Sequence, residues 1–335
     1  MHIHTLYNFN KGIRGGGNQF LLALRHQFRQ MGVYAEDAES ADVILFNSHH
    51  DLREVFKLKK QYPEKHFVHR IGSAFTLARG DAMLDKLVYH ANHNIADGTV
   101  FQSAWSKTTS HHQGLHVNSL ETHILNAPDP TIFHPPNTKE INEKIRIITT
   151  GWAVNRKKGD DIYKYLDEHL DFTKYHFIFL GRTKENFKNI HQFPPQESRV
   201  VGSMLRGSEI FITATEDDAC SNSLIEALHC GLPAVARNSG GHPEIVKGAG
   251  EYFEGKDDVV DAIERVSANI AGYKGQINLP SIREVAQQYF EFCWEVCELT
   301  NPKRVNTIEY LEYSIISKAQ KIGEVRRQIR GFVFP

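Results

Sequence analysis

Two carboxylates, Asp218 and Glu226, flank the small polar run Ala-Cys-Ser-Asn-Ser inside ATEDDACSNSLIEALHCGLPAVA, residues 214–236. Polar side chains gathered this densely could line a ligand site. The residues between the carboxylates could do more: SLIEALHC reads as a helix ended by Gly231 and Pro233, so the amides of Ser221, Asn222 and Ser223 point outward from its start. A helix start with free N–H groups is a natural diphosphate site, and small side chains let a ligand come close to the backbone. Against this stands a purely structural role. Ser223 and Glu226 have capping-box spacing, and Asp218 would suit an ordinary turn.

The elements that would hold this cluster can be read from the apolar patterning. EIFITAT, residues 209–215, is a strand, which sets Asp218 in the loop at its C-terminal edge. Strand-sized runs recur along the chain, at DVILF, FVHRI, ADGTVFQ, IRIITTG, YHFIFLG and LPAVA, each followed by a loop and a helical pattern. That alternation marks stacked βαβ units and parallel sheets. A glycine loop at residues 15–17 leads into NQFLLALRHQFRQ, where Phe20, Leu21, Leu24 and Phe28 share one helix face. NAPDPTIFHPPNT, residues 126–138, holds four of the twelve prolines and reads as a linker between two series of strands. The expectation is an α/β chain of two doubly wound halves: an N-terminal domain over 1–135, a second domain over 136–280, and a return helix with a basic tail over 281–335. Ligands of open α/β sheets bind at the strand ends, so function is expected in a cleft between the halves.

Composition bounds the class. A length of 335 residues suits two domains, and 41% hydrophobic content supports packed cores. A formal charge of −1 offers no global grip on phosphate backbones, so nucleic acid is not an expected partner. No apolar run is long enough to span a bilayer. MHIHTLYNF lacks a basic stretch followed by an apolar one, and Cys220, Cys230, Cys293 and Cys297 form no dense framework, so the expected setting is the cytoplasm. Among the 19 histidines, His112 and His116 stand four apart without a neighbouring glutamate to complete a metal-hydrolase motif, and solvent exposure is expected for them. SIREVAQQYFEFCWEVCEL, residues 281–299, opens with a capping box from Ser281 to Glu284. The tail from Ile315 sets Lys318, Lys321, Arg326, Arg327 and Arg330 against an apolar face. Packing on the body is the expected use of that face, with peripheral contact to anionic lipid as the alternative.

EIFITATEDDACSNSLIEALHCGLPAVARNSGGHPEIV resembles the donor-binding region of retaining glycosyltransferases of family 4 (glycosyl transferases group 1). Their usual text has two glutamates separated by seven residues, then Cys-Gly-x-Pro-x-(Val/Ile) and Gly-Gly-x-Pro-Glu-(Ile/Leu). Asp218 and Glu226 take the acidic positions, and Cys230, Gly231, Pro233, Gly240, Gly241, Pro243, Glu244 and Ile245 match the rest. GGGNQFLLAL, TVFQSAWSK, ILNAPDPTIFHP and TGWAVNRKKG are similar to other segments of that family, so the likeness covers most of residues 12–300.

The resemblance implies the GT-B fold, with two Rossmann-like domains facing across a cleft and a C-terminal helix returning to the first. It implies a nucleoside-diphosphate-sugar donor (UDP- or GDP-sugar), no cofactor and no metal, and transfer to a glycan, a lipid-linked sugar or another hydroxyl acceptor with retention of configuration. Residue by residue, Glu226 matches the carboxylate that takes the ribose hydroxyls. Asp218 matches the one that orients the transferred sugar, although it is a methylene shorter than the family's glutamate. Lys158 matches the lysine on the diphosphate, where positive charge stabilises the leaving group. The family's arginine falls at Trp152, so Arg156 or Arg182 would supply the missing charge. Gly16 and Gly17 let backbone close on phosphates or acceptor, with Asn18 starting the helix. TVFQSAWSK brings Ser103 to the acceptor side. VHRIGSAF is similar to a segment reading His-Arg-Ile-Asp-Gly-Pro, so His69 and Arg70 would face the acceptor, or the histidine would pack in the core; Gly72 and Ser73 depart from that pattern.

Three other readings differ in class. GGGNQF lacks the spacing of a dinucleotide-binding loop, which sets a nicotinamide enzyme aside. A sugar-nucleotide epimerase shares the GT-B fold and would convert the donor alone. A binding module would keep the donor pocket without turnover.

Overall fold

The computed structural model describes residues 1–9, 16–137, 143–152 and 156–333, with side chains of the last helix described only in its N-terminal half. The chain divides into two compact units. The first comprises Met1–Asn8, Phe28–Ile124 and Gln287–Pro335; the second comprises Phe9–Gln27 and Leu125–Ala286.

The first unit holds a five-stranded parallel sheet, β1 (Ile3–Leu6), β2 (Val43–Asn47), β3 (His66–Ile71), β4 (Gly98–Phe101) and β5 (Glu121–His123), in sequential order. Ile44 and Phe46 of β2 pack with Phe67, Ile71 and Phe101 of the neighbouring strands and with Val55, Phe56 and Leu87 of the covering helices. The unit's buried charges pair with side chains and backbone from several parts of the chain, the late ones included. Arg70 donates from Nε to the Tyr289 hydroxyl at 3.1 Å and from a terminal nitrogen to Asn47 Oδ1 at 2.6 Å. The Lys59 ammonium lies 3.3 Å from Asp97, which also accepts the Lys303 backbone N–H at 2.7 Å. Such pairing is required, because a buried charge without a partner costs several kcal/mol.

The second unit holds six parallel strands: β6 (Ile145–Gly151), β7 (Tyr175–Gly181), β8 (His191–Phe193), β9 (Ile210–Thr213), β10 (Ala234–Arg237) and β11 (Gly250–Phe253). Their spatial order is β11-β10-β9-β6-β7-β8, so the winding reverses between β6 and β9. Alternate residues serve two cores, as a strand's period of two demands. Ile147, Phe177, Ile210, Ile212 and Val235 point to one side, and Ile148, Ile178, Phe211, Ala234 and Ala236 to the other. Both faces are covered, which is why these strands read as unbroken apolar runs.

The helix Ile282–Leu299 opens with the expected capping box: Glu284 accepts from the Ser281 backbone N–H at 2.7 Å. Its residues from Gln287 onward belong to the first unit. The helix Thr307–Val333 packs on the same unit through Tyr313, whose ring stacks on Phe56 with centroids 4.4 Å apart. Arg326, Arg327 and Arg330 of its basic tail lie outside the described side chains. His112 ends the helix Ala104–His112 and His116 lies beyond it, both exposed, so the two do not share a helical face. Among the described residues no helix is long and apolar enough to cross a membrane.

Candidate active site

The reversal of strand order puts the C-terminal ends of β6 and β9 side by side, and the chain leaves a cavity of about 190 Å³ there, within the second unit. Thr149 to Trp152 line it from β6, Asp218 to Ser223 from the loop after β9, and Lys158, Arg182, Gly16 and Glu226 from elsewhere in the unit.

Tyr163, on the helix Asp160–His169, holds the two strand ends together. Its hydroxyl pairs with Thr149 Oγ1 at 2.9 Å and accepts the Ala214 N–H at 3.0 Å. Burial in this position raises its pKa, so it stays a neutral strut. The turn Arg156–Lys158 then lies along the loop after β9, with the Glu216 N–H donating to the Lys157 carbonyl at 2.8 Å. Gly159 makes this possible: its φ is +76°, and a Cβ there would sit 2.6 Å from the Ala214 carbonyl oxygen.

The acidic loop is braced from two sides. Asp217 has a left-handed φ of 52°, uncommon for a residue with a side chain, and is held by Lys157 and by the Ser239 hydroxyl, 3.0 Å from its N–H. The Gly241 N–H donates to the Asp218 carbonyl at 2.8 Å. Asp218 therefore enters the cavity fixed. One carboxylate oxygen accepts the Cys220 N–H at 3.2 Å, and the other lies 3.9 Å from Lys158 Nζ.

Glu226 differs from its acidic neighbour. It sits on the helix Asn222–His229, five residues beyond the N-cap position at Ser221, so it does not close a capping box. The helix begins too early for the Ser223–Glu226 spacing to cap it. Glu226 is 9% exposed, lines the cavity, and has no hydrogen-bonding partner among the described residues. Burial alone pushes its carboxyl up to about 8. The Thr150 hydroxyl, on the same cavity wall, is likewise buried without a partner. Groups of this kind carry a desolvation cost that an incoming hydroxyl or phosphate oxygen would relieve.

Ser221, Asn222 and Ser223 stand at the helix start, where the first N–H groups have no intrahelical acceptor. Asn222 Oδ1 accepts from Asn126 Nδ2 at 3.0 Å, and the two Ser hydroxyls, on Ser221 and Ser223, lie 3.3 Å apart. Gly16 packs directly on Asn222: a Cβ at position 16 would fall 2.4 Å from that of Asn222. Arg182 reaches the cavity from an exposed position and forms no ion pair among the described residues.

Other expected site residues lie elsewhere. Gly17 does not line the cavity, and Asn18 is buried in the first turn of the helix Gly16–Gln30, which starts two residues before it. The Arg156 side chain lies outside the described residues. In the first unit, three residues read as facing an acceptor are enclosed instead. His69 is fully buried, stacked on Phe46, with its ring nitrogens 3.1 Å from Asn92 Oδ1 and 2.9 Å from the Ser48 carbonyl. Burial lowers its pKa to about 4, so the ring is neutral and serves packing. Arg70 is spent on Tyr289 and Asn47. Ser103 caps the helix Ala104–His112, accepting the Ser106 N–H at 3.0 Å. His69 thus takes the second of its two readings, packing in the core, while Arg70 and Ser103 differ from expectation because a sequence does not reveal which side chain turns inward or caps a helix.

Tyr163 and Thr150 were not legible as site residues. Tyr163 sits on a helix whose periodicity explains it as core, and Thr150 closes a β-branched strand.

Residues 144–269 match the family model described as glycosyl transferases group 1. No curated protein matches the chain by sequence. Solved structures share the fold at low identity. A glycosyltransferase from Rickettsia africae superposes with a TM-score of 0.67 at 12% identity, over 89% of this chain and 98% of that one. HepE from Anabaena, in complex with UDP-glucose, gives 0.63 at 11%, over 88% and 98%. Sucrose-phosphate synthase from Thermosynechococcus elongatus gives 0.59 at 13%, over 85% and 77%. The match to the group 1 glycosyltransferase model thus covers residues 144–269, which contain nearly all of the cavity wall, within a chain of GT-B fold.

Proposed function

We propose that the protein transfers a sugar from a nucleoside-diphosphate-sugar to an acceptor hydroxyl with retention of anomeric configuration. One observation carries the reading: a single cavity at the reversal of strand order combines an unpartnered carboxylate, Glu226, with the cations Lys158 and Arg182 and a helix start. Glu226 takes the ribose hydroxyls. The diphosphate lies against Lys158, Arg182 and the amides of Ser221, Asn222 and Ser223, with Gly16 allowing close approach.

Asp218 orients the transferred sugar. Its bond to the Cys220 amide and its neighbour Lys158 hold it in place, and it is given no nucleophile's role. The acceptor hydroxyl attacks the anomeric carbon on the face the diphosphate leaves, the glycosidic C–O bond breaks through an oxocarbenium-like state, and the hydroxyl proton passes to the leaving phosphate oxygen. Lys158 stabilises the charge that develops there. The chain's own cations do this without a metal ion. The acceptor is a glycan, a lipid-linked sugar or another hydroxyl compound.

A UDP-sugar is the first donor to try, because the Anabaena relative of the same fold is complexed with UDP-glucose. A thermal-shift screen of UDP- and GDP-sugars tests the site, since a ligand of the folded state raises Tm. A stabilising donor must then yield, with chelator present, a product whose anomeric configuration by NMR equals the donor's. Inversion, or no stabilisation by any nucleotide-sugar, sinks the reading.

A further inference from the structure

Among the described residues, the helix Thr307–Val333 packs on the rest of the first unit through one side. Tyr313 and Gln320 are buried and Ile316 packs beside the same core, a spacing that defines one helical face. The opposite side carries Ile308, Leu311 and Ile315, which are 67%, 55% and 68% exposed. Three large aliphatic side chains in one exposed row lose free energy to water without return.

The sequence extends that row with a strict period. Ile308, Ile315, Ile322 and Ile329 recur every seventh residue, and Leu311, Lys318, Val325 and Phe332 stand three after each. The helical backbone runs through all eight positions. A heptad with isoleucine at every first position, kept over four repeats and about 40 Å, specifies knobs-into-holes pairing with another helix of like pattern.

We infer that this face pairs with the same face of a second copy of the chain, as an antiparallel two-stranded coiled coil. The pattern is complementary to itself, and its charges choose the direction. In a parallel pair both Lys318 side chains would occupy one core layer. In the antiparallel pair centred on Gln320, position 308 opposes 332, 315 opposes 325, and each Lys318 opposes the partner's Ile322. Glu312 then flanks the partner's Arg326, an opposite-charge pair made twice by the two-fold symmetry.

Sedimentation equilibrium of the full chain is expected to return twice the chain's mass. The double substitution I308E/I315E is expected to weaken the dimer on the order of a hundredfold or more, leaving the protomer's thermal unfolding intact because both side chains are exposed there. K318L is expected to tighten the dimer. E312R and R326E are each expected to weaken it, and their combination to restore it. A monomer at every concentration, a dimer that survives I308E/I315E, or no tightening by K318L overturns the inference. So does a monomer that floats with phosphatidylserine vesicles through Ile308 and Ile315, and failure of the charge swap to restore pairing overturns the antiparallel direction. None of these readouts depends on donor binding or sugar transfer.

Discussion

Glu226→Gln replaces the cavity's unpartnered carboxylate with a neutral side chain of the same shape. The folded-state value of about 8 against the ordinary 4.5 corresponds to about 5 kcal/mol favouring the protonated over the ionised form in the empty site. The sign follows from linkage. Below pH 4.5 both folded and unfolded chains hold the proton, and this contribution is present in full. Between 4.5 and 8 only the folded chain holds it, so stability falls as pH rises, by up to about 1.4 kcal/mol per pH unit. Above about 8 the contribution is gone. Urea denaturation of wild type and Glu226→Gln across this range is therefore expected to show the variant gaining on wild type with rising pH.

Donor binding supplies the second half of the test. Ribose hydroxyls donating to Glu226 favour its ionised form, so binding below about pH 8 releases a proton. Calorimetry in two buffers of different ionisation enthalpy measures that proton directly. Donor affinity is expected to rise with pH towards 8, by at most about tenfold per unit, and to lose that dependence in Glu226→Gln. A stability difference that does not vary with pH, together with donor binding that releases no proton, refutes the reasoning.

Lys158→Ala is expected to lower kcat by about 10²–10³-fold while weakening donor binding less, because its charge acts most on the departing diphosphate; unchanged turnover removes Lys158 from the mechanism. Tyr163→Phe leaves the buried Ala214 N–H and Thr149 hydroxyl unpaired, so a loss of about 1–3 kcal/mol in urea denaturation is expected, and a change below about 0.5 kcal/mol dismisses the strut.

Much of the fold was legible because buried parallel strands are written as apolar runs. DVILF, FVHRI, IRIITTG, YHFIFLG, EIFITAT and LPAVA all fall on strands. The strands β1, β5, β8 and β11 are not read from the sequence. Glu121–His123 and His191–Phe193 are three residues long, polar and at sheet edges, too short for a period to show. Asp218, Lys158, Arg182, Glu226 and the serines after β9 come together because chemistry at the reversal point depends on loops that follow strands, and those loops carried a motif. In the first unit the motifs were looser. His69 and Arg70 lie on β3 itself, facing the interior, and Ser103 was needed to cap a helix. A residue type names a chemistry; only packing says whether solvent can reach it.

The first unit is assembled from three separate stretches of chain, and this inverts the usual order of events during synthesis. Arg70 waits for Tyr289, Asp97 for Lys303, and Phe56 for Tyr313, so the earliest residues made are among the last to find their partners. The span from Leu125 to Ala286 has already left the ribosome by then. A nascent chain halted near Ala286 would thus carry a complete second unit and an amino-terminal part in which Arg70, Asp97 and Phe56 each still lack one partner, a state that invites chaperones until translation ends.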